Sequence, residues 1–269
     1  MTALESRPAH TAVPSLAIRA SDVLTSEWTK LRSVRSTYWT LLIVGVTPIG
    51  LSAIVALTLA TQPAAGRSQI DPLLPSFIGL EYAVLAIGVL GILAFSSEHA
   101  TGLIRTTFAA VPRRRAVLAA KAAVAGTVAF IVGELVSFAS FFLVQAILSG
   151  HHRGLSVSHP GVPGAVLAEG ILLFVCAMVG VGLGAMIRHA AGAVAALVGL
   201  IYLPAVLGLL PAPWNDRIGR LTLFYAAQQV VALHPRTDLF APAPSMLVLL
   251  AWPAAALLTA AFLITRRDA

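Results

Sequence analysis

Cysteine occurs once in this chain, as Cys176, and it lies inside an apolar run. A single thiol permits no internal disulfide, no cluster of paired thiolates around zinc and no dithiol redox centre. Charge is scarce too: 11% of the residues are charged, where a soluble domain carries about 25%. A glycine-rich phosphate loop of the form GxxxxGK followed by Ser or Thr is absent, so the chain is not expected to hydrolyse nucleotide by itself. The HExxH and GxSxG patterns are missing as well, and no catalytic residue is expected. His151, His152 and His159 gather in one segment without a carboxylate or thiol beside them, which reads as a solvated turn and not as a metal site. The first 20 residues lack an apolar core and a cleavage site; with Pro8 and Pro14 they read as a disordered cytosolic tail, not a secretory signal.

What the chain has in abundance is apolar length. Hydrophobic residues make up 58% of it, and the mean hydropathy is +0.89. The expected class is an all-α polytopic membrane protein, with residues 21–269 forming a single transmembrane domain. Six runs approach the roughly 20 residues needed to cross a bilayer, at about 38–60, 76–95, 117–148, 165–187, 191–210 and 245–264. Lys and Arg near span ends set orientation. With both termini inside, 13 of the 18 basic residues fall on the inner side and 5 on the outer. The net charge of +7 is therefore a topology signal and not a nucleic-acid footprint. Arg outnumbers Lys sixteen to two, which fits a GC-rich bacterial coding bias. Residues 61–75 and 149–164 read as outer loops, Arg188 and His189 as a tight inner turn, and 211–244 as a long outer segment containing a short apolar helix. No internal repeat is present to suggest an inverted-repeat transporter.

Two polar segments stand out. In residues 21–36, Leu24, Trp28, Leu31 and Val34 share one helical face while Glu27, Lys30, Arg32 and Arg35 lie elsewhere. A basic amphipathic helix of this kind lies in the membrane interface, and Tyr38 with Trp39 marks the aromatic belt where the first span begins. The second segment, 96–116, joins the second and third spans and holds Glu98, Arg105 and Arg113 to Arg115. Ser96 or Ser97 is expected to cap a short amphipathic helix over 97–110, broken only at Gly102 and stopped by Pro112, with Leu103, Ile104, Phe108 and Val111 on one face. An ordinary charged loop is the alternative. Three acids, Glu81, Glu134 and Glu169, sit in or beside the spans. Glu134 lies mid-span, where an ionised carboxyl costs about 2.5 kcal/mol or more; it faces a polar path or a dimer interface, or else is protonated and bonded to a neighbouring helix.

The run Ser26-Glu27-Trp28-Thr29-Lys30-Leu31-Arg32-Ser33, followed by Arg35, Ser36, Thr37, Tyr38 and Trp39, resembles the N-terminal signature of actinobacterial ABC-transporter permeases of the second, exporter type. Glu98, Thr101-Gly102, Ile104-Arg105, Pro112-Arg113 and Lys121 resemble the same family's stretch between its second and third spans, although three consecutive Arg after Pro112 are more positive than that pattern. The resemblance covers the whole layout. It implies an elbow helix over 21–36, with Glu27, Trp28, Lys30, Leu31 and Arg32 at its centre. It also implies a coupling helix over 97–110 docking on a separate ATPase subunit, with Glu98, Thr101, Gly102, Arg105, Pro112 and Arg113 at the docking surface. Segment 221–240 would line the translocation pathway. ATP and Mg would then be bound by the partner subunit and no cofactor by this chain. A second permease copy or homologue would complete the transporter in a bacterial cytoplasmic membrane. The residues alone leave two other readings open, an ion-gradient-driven secondary transporter using Glu134 and a non-transporting membrane scaffold or sensor.

Overall fold

The computed structural model describes residues 19–61, 73–111, 113–151, 154–207, 209–237 and 239–266. The tail over 1–18, most of the loop expected at 61–75, Pro112 and His152 lie outside them. Among the described residues every regular element is a helix.

Helix α1 (Ala20–Ser33) begins where the Asp22 carboxylate accepts a hydrogen bond from the Arg19 backbone N–H at 3.0 Å. Lys30 and Arg32 fall in its last turn, where the helix dipole favours cations. Val34 is extended and breaks the axis. Helix α2 (Arg35–Thr61) follows at once, and the corner is held by the Tyr38 hydroxyl donating to the Arg32 carbonyl at 2.8 Å.

After α3 (Leu74–Phe77), α4 runs over Leu80–Thr101. The bend between them is satisfied inside the bundle: the Ser52 hydroxyl of α2 donates to the Ser76 carbonyl and accepts from the Gly79 N–H, both at 3.2 Å. Backbone groups at membrane depth need such internal partners. The expected helix start at Ser96 or Ser97 is not found. Instead α4 continues through both serines, Ser96 being buried and the Ser97 hydroxyl donating back to the Leu93 carbonyl at 2.6 Å. The break comes at Gly102, whose left-handed φ of 73° ends α4 and starts α5 (Leu103–Ala110). A side chain there would be strained, which is why glycine holds the corner.

Helix α6 (Arg114–Ser149) has 36 residues, so it is about 54 Å long and outreaches a hydrocarbon core of about 30 Å. Helix α7 (Val162–Ile187) ends at Arg188, a non-glycine residue at φ 60°, in the expected tight turn before α8 (Ala190–Leu207). Short helices α9 (Ala212–Gly219) and α10 (Leu223–Val231) precede α11 (Pro242–Arg266).

Among the described residues five helical runs are long and apolar enough to cross a membrane: α2, α3 with α4, α6, α7 and α11. Helix α8, expected as a span over 191–210, has 18 residues and an internal Pro204; at about 27 Å it falls slightly short of the hydrocarbon core. The described residues are thus all-helical in their regular structure, and the five long apolar helices make the chain a multi-pass membrane protein.

The axis of the bundle is α7. In its most apolar window 72% of the residues are buried, against 22% in α2 and in α11, whose apolar outer faces are left to lipid or a partner. Close approach of α4 and α7 depends on absent side chains. A Cβ on Gly180 would strike the Gly88 carbonyl, one on Gly91 the Ala177 carbonyl, and one on Gly184 the Ile92 backbone. Small residues let membrane helices meet backbone to backbone in this way. Gly180→Leu is expected to force α4 and α7 apart and to cost about 3 kcal/mol or more, beyond ordinary overpacking because the obstacle is backbone. Gly199→Leu, at a position with nothing within 4 Å, should be neutral. Thermal unfolding of the two detergent-purified variants checks the contrast.

Candidate functional site

Where α1 meets the C-terminal end of α4 and the first turns of α6, four charged side chains form a closed cluster. The Lys30 ammonium lies 2.7 Å from Glu27 Oε1 and 2.8 Å from Glu98 Oε1. The Lys121 ammonium lies 2.7 Å from Glu27 Oε2 and 2.6 Å from Glu98 Oε1. Two acids and two bases leave the cluster neutral. Glu27, Glu98 and Lys121 are buried while Lys30 is partly open. Lys121 also stands 5.3 Å from the centre of the Phe95 ring, a cation–π contact that adds to its attraction. Burial opposes the charge on Lys30, but hydrogen bonds to Glu27 and Glu98 outweigh it and leave its ammonium above the usual 10.5. The folded chain therefore holds that proton more tightly than the unfolded one. Lys30 adds stability at neutral pH and loses it only as pH climbs past 10.5 and through the raised value.

The geometry explains the choice of base. The chain's only two lysines, Lys30 and Lys121, both stand in this cluster, although arginine supplies the other sixteen basic residues. A compact ammonium with three donors bridges two carboxylates from different helices; a planar guanidinium fits a single carboxylate edge-on. Lys121 was not among the expected docking or interfacial residues. Its signal in the sequence is the switch from arginine to lysine inside an apolar helix.

The faces of α1 are inverted relative to the expected amphipathic pattern. Glu27 points into the bundle and is buried, whereas Trp28 is 44% exposed and Leu24 39%. Leu31 is half-buried, and exposed Arg32 places its guanidinium 6.0 Å over the Trp28 ring. An acid inside and a Trp outside suit a helix whose outer face meets lipid headgroups.

The expected docking residues separate into two groups. Glu98 is buried in the cluster, so it is not a surface group. Thr101, Gly102, Arg105 and Arg113 are exposed; Pro112 lies outside the described residues. Helix α5 is anchored by Ile104, which is 4% exposed, and by half-buried Phe108, over whose ring the Arg114 guanidinium sits at 5.4 Å. Leu103, expected on the anchored face, is 55% exposed instead. Leu103, Arg105 and Thr106 are therefore exposed positions of α5, and Leu103 lines a cavity of about 340 Å³ that Glu27, Lys30, Glu98 and Lys121 also line.

Both carboxyl oxygens of Glu134 are buried without a hydrogen-bond partner, in a notch on α7 left by Gly170. Glu81 and Glu169, distant in sequence, line one cavity of about 450 Å³ at the other end of α4. No group of three or more His, Cys, Asp or Glu is placed to hold a metal ion among the described residues. No protein-family model matches the chain, and no curated protein matches it either.

Removing one member of the cluster strands a buried charge, which costs about 3–5 kcal/mol. Lys121→Met should lower the midpoint of thermal unfolding strongly, and Lys121→Arg should fail to restore it. Adding Glu98→Gln to Lys121→Met should recover part of the loss, because the stranded carboxylate is then neutral. Unfolding of the single and double variants in one detergent checks this coupling.

Proposed function

We propose that this chain is the membrane-spanning permease subunit of an ATP-driven exporter in a bacterial cytoplasmic membrane. It has no enzymatic activity of its own. A separate ABC ATPase binds ATP and Mg and docks on α5, and a second permease copy or homologue completes the pathway. Both termini lie inside, and α8 serves as the fifth of six spans, its ends reached by local thinning of the bilayer.

One observation carries this reading: a short helix with exposed Leu103, Arg105 and Thr106 departs one turn after Glu98, a member of the neutral ion cluster that binds α1, α4 and α6 together. A partner that pushes on α5 meets a stiff foundation, so the displacement passes into the spans. ATP-driven closure of the ATPases then shifts the balance between inward- and outward-open arrangements through the contacts each state makes. The chain's basic excess on the same side supports the orientation.

The docking surface is tested by co-purification with the ATPase. Leu103→Ala with Arg105→Ala should reduce retained ATPase by roughly tenfold, about 1.4 kcal/mol, without changing thermal stability. Unchanged retention would remove α5 as the docking helix. Orientation is tested at Thr106→Cys, exposed on α5, against a quiet background because Cys176 is buried. A membrane-impermeant maleimide should label it in inside-out vesicles only; labelling of right-side-out vesicles would overturn the topology.

The unpartnered carboxyl of Glu134 favours a second reading, transport driven by an ion gradient. Vesicles holding the permease without ATPase separate the two, since gradient-driven activity that Glu134→Gln abolishes belongs to the second reading alone.

A further inference from the structure

The cavity shared by Glu81 and Glu169 lies at the opposite end of α4 from the ion cluster. Glu81 and Glu98 stand on the same unbroken helix, 17 residues and so about 26 Å apart. The cavity measures about 450 Å³, within the roughly 300–1,000 Å³ span of small-molecule sites. Its walls come from α3, α4, α7, α8 and α10, and the segment after α10 closes one side. That segment is fixed in place by Gln229, whose buried amide donates to the Arg236 and Phe240 carbonyls at 2.9 and 2.7 Å and accepts from the Arg236 N–H at 2.8 Å. The cavity is thus a built feature of the bundle and not a gap between loose loops.

Its chemistry is specific in two respects. Most of the lining is apolar, and four rings, Phe77, Tyr82, Tyr202 and Phe224, contribute to it. Into this lining reaches Glu169, which is 4% exposed and makes no hydrogen bond or ion pair with any described residue. A nine-tenths buried carboxyl aimed into a cavity without a partner is an unfilled demand for a donor or a cation, since buried charge is costly unless paired. Glu81 faces the same space, and His234 and Arg236, the latter seated over the Tyr225 ring at 5.8 Å, also line it. With His234 left out of the formal count, two carboxylates against one guanidinium leave −1. A metal ion is a poor occupant, because Glu81, Glu169 and His234, although they line one cavity, form no group placed to hold a metal among the described residues. Aromatic faces with a buried carboxylate are the combination that attracts a large, weakly hydrated organic cation.

We propose that this cavity is a binding site for a lipophilic organic monocation, with Glu169 as its counter-ion, Glu81 as a second attraction at the mouth, and the four rings enclosing its apolar body. The assignment goes beyond the ATPase-docking reading and does not depend on it, because binding is measured on the permease chain alone.

Tetraphenylphosphonium and tetraphenylborate form a matched pair of probes, nearly equal in size and shape and opposite in charge. Equilibrium dialysis against the full-length chain in uncharged detergent, with protein-free micelles subtracted, should give saturable binding of the phosphonium at one site per chain. The borate should give no saturable component. Glu169→Gln should weaken phosphonium binding by roughly tenfold or more, and Glu81→Gln, at an exposed position, by less. Equal saturable binding of both probes, no saturable phosphonium binding, or Gln variants at both positions binding like the parent would each overturn the assignment. If Glu169→Gln does not fold, Glu81→Gln and the comparison of the two probes on the parent chain still decide it.

Discussion

The structure depends on a neutral knot of two carboxylates and two ammonium groups at one end of the bundle. Its four members come from three helices and are separated by up to 94 residues in the chain. Each carboxylate touches both lysines, so the removal of any one group leaves a charge that the surroundings cannot solvate. The knot settles the position of α1, which has few other ties to the bundle: Val23 and Glu27 are its only buried side chains. An amphipathic helix resting on a bilayer surface is free to slide and roll. Ion pairs from Glu27 and Lys30 to α4 and α6 remove that freedom. They also fix the base of α5, since Glu98 lies one turn before Gly102, where α5 departs.

Further along the bundle, polar contacts give way to steric ones. Helices α4 and α7 touch through Gly88, Gly91, Gly180 and Gly184, and serines and a glutamine close the remaining backbone demands. The Ser137 hydroxyl donates to the Val166 carbonyl at 2.7 Å, tying α6 to α7. The Gln145 side chain reaches the Ser76 hydroxyl at 3.2 Å and accepts from the Leu155 N–H at 2.6 Å, so it joins α3, α6 and the segment that precedes α7. In lipid the hydrophobic effect gives helices no reason to associate with each other. Contact area between smooth backbones, with short hydrogen bonds at intervals, supplies it instead.

This difference of solvent explains what the sequence made legible. Apolar length located α2, α6, α7 and α11 within a few residues and α4 except for its last six, because a bilayer must be crossed by backbone bonded within its own helix. The turn at Arg188 and the short helix α10 were legible for the same reason. Faces were not. Helical periodicity identifies the buried side only where water surrounds the helix, and α1 has ionic partners inside, so Glu27 is buried and Trp28 exposed. Glu98, which the resemblance placed at a docking surface, is buried: in a basic, polar stretch nothing local indicates that Lys30 and Lys121 will meet it. Helix α5 begins later than expected because serines tolerate a helix interior by bonding back to the preceding turn, as Ser97 does, whereas only glycine accepts the φ of 73° at residue 102. The meeting of Glu81 with Glu169 is a tertiary fact that no spacing encodes.

The two regions of interest are joined by one rigid part. Helix α4 contains no proline and no break from Leu80 to Thr101, and it presents Glu81 to the cavity and Glu98 to the ionic knot. A stiff helix does not absorb a push at one end. It translates or rotates as a body, and its glycine contact with α7 is smooth enough for small sliding without side chains having to clear one another. On the proposed reading, movement of α5 under load would appear at the cavity as a displacement of Glu81 relative to Glu169, because Glu169 belongs to α7. Separating two carboxylates changes the field that a bound cation feels, and affinity follows that field. On the proposed reading, the energy delivered at the knot would alter affinity at the far end through a single lever, with no wire of coupled side chains required between them.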